Sequence, residues 1–298
     1  MVGRVRRVAV VGTGTLGSQI AMTVARAGYE VTVFDPREGA FEGTLEGIRA
    51  RLVGRAAPPF IPWERWDACK DAIRQVTDLG EAVGGADLVI EAVPENLELK
   101  REVWTAMSRE ATPQAILATN SSSLPVSRLE DCSGRPERCL NLHFYQPLLG
   151  MNLVDVMGGT RTPSELVEQA AAWVRTLHCI PLTVKKEILG FCFNRVWRAI
   201  KREVLHMWAD GFVDLRDVDR AWMVFTGMNM GPFGLMDAVG LDVVYDIEMV
   251  YYEDSGDPKD RPPDLLKAMV DRGELGAKSG KGFYTYPNPE YERPDFLK

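Results

Sequence analysis

A run of three glycines constrains this chain more than any other feature. Gly12-Thr13-Gly14-Thr15-Leu16-Gly17 fits the pattern G-x-G-x-x-G. It follows an apolar stretch, Arg7 to Val11, that reads as a buried strand, and it opens a segment in which Leu16, Ile20 and Val24 share one helical stripe. Gly28 stands where a left-handed residue would end that helix. A second strand, Tyr29 to Phe34, then closes on Asp35. Each part has a physical task. Gly12 permits the tight turn, Gly14 lets backbone N–H groups approach a pyrophosphate, and Gly17 allows close helix packing. Asp35 can accept hydrogen bonds from the adenosine ribose, and its charge repels a 2′-phosphate, so the pattern favours NAD over NADP. Arg37, two residues on, blunts that preference. The cofactor set is Gly12, Gly14, Thr15, Leu16, Gly17, Asp35 and Ala92.

Further strands are expected at Ala86 to Ala92, Ala115 to Thr119, Leu140 to Phe144, Leu153 to Met157 and Ile180 to Val184. The charged stretch Arg37 to Asp78 reads as helical with a break at Pro58-Pro59. Thr162-Pro163-Ser164-Glu165 reads as a capped helix start, with Thr162 as the cap. Strands alternating with helices call for an α/β fold with a doubly wound, mostly parallel sheet of Rossmann type. After about Lys186 the pattern changes to long apolar-periodic stretches (191–208, 218–225, 235–252 and 265–271) with no convincing strand. Two domains are therefore expected, 1–186 and an all-helical 187–298, in keeping with 298 residues.

The 35 basic residues against 42 acidic ones give a net charge of −7. That balance argues against nucleic-acid or anionic-membrane partners, which need a basic face. No apolar run approaches a membrane span, and Val8 to Val11 meets Gly12 too soon for an export signal. The five cysteines are odd in number and form no CxxC pair, so no disulfide framework and no metal site is indicated. A soluble, cytoplasmic protein is expected.

Polar residues collect where three strands should end: Glu91 to Asn96, Thr119 to Pro125 and Leu142 to Pro147. Ligands bind at the carboxyl ends of strands in open α/β sheets, so these ends beside a dinucleotide motif suggest hydride transfer. Here the sequence resembles the L-3-hydroxyacyl-CoA dehydrogenase family almost end to end. The landmarks are VGTGTLGSQIA, DLVIEAVPENLELK, ATNSSSLPVS, LHFYQP, LGFCFNR, DVDRAW, GPFGLMDAVGLD and KSGKGFYTY.

The resemblance implies a catalytic base at His143, an orienting carboxylate at Asp155, and substrate-oxygen donors at Ser122 and Asn194. It places Glu95, Lys100 and Asn120 along the nicotinamide side of an NAD site. The implied partner is a small-molecule acyl-CoA or related 3-hydroxy or 3-oxo compound, and the helical domain would cap the substrate and form a homodimer. A histidine suits proton removal from an alcohol near neutral pH, and a carboxylate on its other nitrogen fixes the tautomer. Taken singly, these residues also have structural readings, as a core histidine, a helix cap or a paired acid; their shared order favours the site.

The sequence departs from the family pattern at Asp155, where the family has Glu, at Gln146-Pro147 in place of Asn-Pro, and at Met228 to Pro232, which lacks the family's His-Pro. These departures bear on the substrate more than on the reaction. Parts of the sequence also look like diketoreductases, and L-gulonate and L-carnitine dehydrogenases share the scaffold. A crystallin-like structural role is a further alternative, against which the intact Ser122, His143 and Asn194 speak. Arg49, Arg51 and Arg55 are read as a solvated helix face before a phosphate contact, and Trp63 and Trp66 as packing. Met228 to Met230 reads as core filling or pocket lining, and His178 and His206 as structural.

Overall fold

The computed structural model describes residues 5–53, 61–146, 148 and 153–298. The chain separates into two compact units, Met1–Cys192 and Phe193–Lys298. The division falls beyond residue 186 because the connecting segment stays with the first unit: Glu187 accepts a hydrogen bond from the Ser127 hydroxyl at 2.6 Å, and Phe191 is buried.

The first unit is built on strands β1 (Arg7–Val11), β2 (Glu30–Phe34), β3 (Ile73–Val76), β4 (Leu88–Glu91), β5 (Ile116–Thr119), β6 (Cys139–Phe144), β7 (Leu153–Gly158) and β8 (Ile180–Val184). They form one sheet in the order β3-β2-β1-β4-β5-β6-β7-β8. All neighbours are parallel except β6 and β7. The connection between those two is too short for a crossover helix, so the chain must turn back. Helices α1 (Thr15–Arg26), α2 (Ala40–Leu52), α3 (Trp63–Asp71), α4 (Leu79–Val83), α5 (Leu97–Glu110) and α6 (Ser164–Thr176) cover the sheet. Two apolar clusters result. Val8, Val10, Ile20 and Ile90 belong to one, and Val11, Val89, Trp104 and Leu117 to the other. Burial on both faces explains why β1 is a continuous apolar run rather than an alternating one.

Two sequence expectations of this unit change. β3 lies inside the stretch read as helical. It is an edge strand paired only with β2, and its Arg74 and Gln75 are exposed, so it carries little apolar signal. Thr162 does not cap α6: its hydroxyl accepts from the Gly159 N–H at 2.8 Å and donates to the Cys139 carbonyl at 2.6 Å, tying the end of β7 to β6. The break expected at Pro58-Pro59 lies outside the described residues, as does Arg55. Gly28 takes the left-handed conformation expected of it, φ +89°.

The second unit comprises α7 (Phe193–Ala209), α8 (Leu215–Thr226), α9 (Pro232–Val239), α10 (Leu241–Ser255) and α11 (Asp264–Asp271). The apolar stretch 235–252 is two helices, divided at Gly240, whose φ of +106° no ordinary residue adopts without strain. Leu205, Phe233, Met236, Leu241 and Leu266 are fully buried. Trp208, Phe233 and Phe283 meet edge to face, with centroids 4.8 to 6.2 Å apart.

Two buried carboxylates hold this unit together and account for its motifs. Asp219, of the DVDRAW segment, accepts from the N–H groups of Phe233 and Gly234 at the start of α9 and from the Tyr284 hydroxyl, at 2.9 to 3.0 Å. Asp237 accepts from the N–H groups of Phe283 and Tyr284; burial pushes its carboxyl up to about 6. A side chain at Gly231 would strike Asp219, and one at Gly282 would strike Asp237, so the glycines of these motifs make room for the clamps. Asp219→Ala leaves three donors without an acceptor. It should destabilise the protein by about 3 kcal/mol, read as a lowered midpoint in urea unfolding.

Candidate active site

The carboxyl ends of β1, β4, β5 and β6 converge on one edge of the sheet, at the point where strand order reverses between β1 and β4. Gly12 turns at φ +103°, and a Cβ there would lie 2.8 Å from the Ala92 carbonyl oxygen. A Cβ on Gly17 would lie 2.0 Å from the Gly12 carbonyl oxygen and 3.3 Å from Ala92 Cβ. These contacts also explain why residue 92 is small. At Gly14, by contrast, a Cβ would meet nothing within 4 Å. Gly14 is the N-cap of α1 and offers no side-chain cap, so the first N–H groups of the helix, from Thr15 onward, face open space. With the positive end of the helix dipole there, the turn fits a pyrophosphate.

Asp35 ends β2 beside a cavity of about 630 Å³ that is also lined by Thr13, Arg37, Gln75 and Thr77. Thr13 donates its hydroxyl to Asp35 Oδ2 at 2.8 Å, and Arg37 Nε donates to Oδ1 at 3.0 Å. Burial opposes ionisation of Asp35, but hydrogen bonds from Arg37 and Thr13 outweigh it and hold the carboxyl below its usual range. The acid is charged near neutral pH, with Arg37 beside it.

At the carboxyl ends of β4 and β5 lies a buried charge network. Glu91 Oε1 accepts from Lys100 Nζ at 2.7 Å and from the Val93 N–H at 2.8 Å. Its Oε2 accepts from the Thr119 hydroxyl at 2.7 Å and from Trp104 Nε1 at 3.3 Å. Lys100 also faces Glu95 Oε2 at 3.2 Å. Glu95 accepts from the hydroxyls of Ser121 and Ser123. Burial raises its carboxyl, and the Lys100 charge with these hydrogen bonds brings it below the usual range. Lys100 is 1% exposed, so it reaches the site through Glu91 and Glu95. Asn120 accepts from the Phe144 N–H at 2.9 Å and joins the ends of β5 and β6. Ser121 and Ser123 are engaged in this network, whereas Ser122 between them is exposed.

His143 and Asp155 are directly opposite each other on β6 and β7. Both are buried, with His143 Nδ1 3.0 Å from Asp155 Oδ2. Asp155, though shorter than glutamate, reaches the ring because the register brings the two backbones face to face. Phe191 packs 5.4 Å from the imidazole at φ +50°, a left-handed conformation uncommon for a large side chain. Asn194 is half-buried in the first turn of α7, in the second unit.

Residues 7–188 match the model of the 3-hydroxyacyl-CoA dehydrogenase NAD-binding domain, and residues 190–286 match that of the C-terminal domain. The chain belongs to the 3-hydroxyacyl-CoA dehydrogenase family. It is an NAD-dependent oxidoreductase, and its first unit is the NAD-binding domain. It is 36% identical over 289 residues to a 3-hydroxybutyryl-CoA dehydrogenase of Mycobacterium tuberculosis, covering 95% of this chain and 99% of that one. A crystal structure of (S)-3-hydroxybutyryl-CoA dehydrogenase from Ralstonia eutropha is similar with a TM-score of 0.85 at 28% identity, covering 95% of this chain and 100% of that one. A solved diketoreductase is similar with a TM-score of 0.83 at 35% identity, covering 95% and 99%.

Several features of this dehydrogenase lay beyond sequence reasoning. Glu91, Tyr145 and Phe191 sit inside quoted motifs, but nothing in their spacing distinguishes a buried hub from packing. Arg49 pairs with Asp67 at 3.1 Å and lies over the Trp63 ring. Trp66 is buried in the core, as read, and Met230 packs against the helical core while Met228 is exposed. His178 takes φ +59° just after α6 and helps end that helix. Among the described residues no cluster of three metal-ligating side chains occurs, and no helix is long and apolar enough to cross a membrane.

Lys100→Met leaves the fully buried Glu91 carboxylate without its countercharge. It should cost about 3–5 kcal/mol, seen as a lower thermal unfolding midpoint.

Proposed function

We propose that this dehydrogenase interconverts a short L-3-hydroxyacyl-CoA and its 3-oxoacyl-CoA, with His143 as the base. The observation that carries this reading is the buried His143–Asp155 pair at the carboxyl end of β6. Asp155 Oδ2 also accepts the Tyr145 hydroxyl proton, so it acts as an acceptor and His143 Nδ1 must donate to it. The lone pair is thereby left on Nε2, which takes the proton from the substrate hydroxyl. Bound NAD would supply the acceptor for the hydride that leaves the carbon bearing that hydroxyl. Asp155 then stabilises the imidazolium, and Ser122 and Asn194 hold the substrate oxygen, as the family resemblance implies. In the reverse direction His143 returns the proton to the ketone.

The names of the relatives point to 3-hydroxybutyryl-CoA and acetoacetyl-CoA as the pair to test. The similarity to a diketoreductase, together with Arg49 being engaged by Asp67 and Trp63, supports a second reading with the same chemistry on a substrate without CoA. NADH oxidation with acetoacetyl-CoA and with free acetoacetate separates them. Turnover of the thioester alone is expected, and turnover of the free acid or a diketone in its place would overturn the CoA assignment. His143→Ala should lower kcat by roughly 10³-fold while leaving NADH affinity unchanged; full activity in that variant would remove the base from the mechanism.

The protein is further proposed to work in the cytoplasm as a homodimer through its helical unit. Phe212 and Phe225 there are 79% and 92% exposed, and Val224, Val243, Ile247 and Val250 are exposed with them. Phe225→Glu should shift the mass measured by light scattering from dimer towards monomer.

A further inference from the structure

We propose that Tyr145 is a positioning residue, whose hydroxyl fixes the Asp155 oxygen that orients His143. The inference rests on the reading of His143 as the base. Tyr145 follows the end of β6, two residues beyond His143, and its N–H still bonds the Leu153 carbonyl at 3.2 Å. Strand alternation therefore puts the phenol on the same face as the imidazole, and the rings pack with centroids 4.5 Å apart. The hydroxyl donates to Asp155 Oδ2 at 2.6 Å. This is the oxygen that faces His143 Nδ1 at 3.0 Å. Asp155 is fully buried, and its other oxygen has no hydrogen-bond partner among the described residues. Both donors to the carboxylate thus converge on one oxygen.

Two consequences follow from elementary electrostatics. The phenol holds a short carboxylate in line with the ring, the service that aspartate's missing methylene would otherwise leave undone. It also draws charge from the shared oxygen, which weakens the pull of Asp155 on the imidazolium. Tyr145 therefore trades some of the carboxylate's attraction to the ring for a fixed geometry. Among the described residues, the groups facing His143 are Asp155 from β7, the Tyr145 phenol and the uncharged Phe191 ring.

Tyr145→Phe removes one oxygen and keeps the ring, so packing is preserved. The chain has three histidines, and imidazole NMR of the full-length labelled protein can follow each one. In Tyr145→Phe the His143 titration should move up by roughly half a pH unit, with His178 and His206 unmoved. In an Asp155→Asn background the same substitution should produce no shift, because the link between phenol and imidazole is gone. The acid limb of kcat/KM for the oxidation should rise by the same amount, with kcat down roughly tenfold and KM for NAD unchanged. An unmoved His143 titration in Tyr145→Phe, or an equal shift without the Asp155 carboxylate, would overturn the proposal. A shifted titration with an unmoved kinetic limb would uphold the Tyr145–Asp155–His143 link and overturn His143 as the base. Circular dichroism and the urea midpoint, unchanged in Tyr145→Phe, exclude a general loss of fold.

Discussion

The register between β6 and β7 governs the candidate active site of this protein. It sets His143 opposite Asp155 and Phe144 opposite Val154, so polar and apolar pairs alternate across the ladder. A slip of one residue would turn the imidazole and the carboxylate to opposite faces and bring Val154 or Val156 out of the core. The apolar cluster that takes in Leu140, Leu142, Phe144, Val154 and Val156 on one face thus enforces the register, and the register enforces the pair. Thr162, bonded to both Gly159 and Cys139, locks the far end of the same hairpin.

The cofactor edge follows a different logic, in which room decides rather than contact. Gly12 and Gly17 are glycines because the turn after β1 lies against Ala92, whereas Gly14 is a glycine with open space before it. The charged network of Glu91, Lys100 and Glu95 then ties α5 and the serine run after β5 to the end of β4 and the loop that follows it. A buried lysine with two carboxylates adds little net stability over an apolar replacement of all three. Its value is to hold the loops after β4 and β5 in one arrangement, so that Ser122 is the serine left exposed.

The helical unit uses the same device in its interior. Asp219 and Asp237 gather backbone N–H groups from segments distant in sequence, and the surrounding glycines admit them. The motifs of this half are therefore largely architectural. By contrast, the LHFYQP and LGFCFNR segments bring His143, Tyr145 and Phe191 together.

The Rossmann-type half was legible in the sequence, because buried parallel strands such as β1 and β4 read as apolar runs and glycines mark the turn at Gly12 and the helix stop at Gly28. The sequence also singled out His143, Asp35 and the glycine turn as candidates, since their residue types suit dehydrogenase chemistry within short, ordered motifs. Only the tertiary structure decided that Arg74 lies on a strand, that Thr162 ties a hairpin, that Lys100 is enclosed, and that Tyr145 and His143 share one carboxylate oxygen. The edge strand β3, with Arg74 and Gln75 exposed, lacks an apolar signature. A hydrogen bond between residues on neighbouring strands depends on register, which no local pattern encodes.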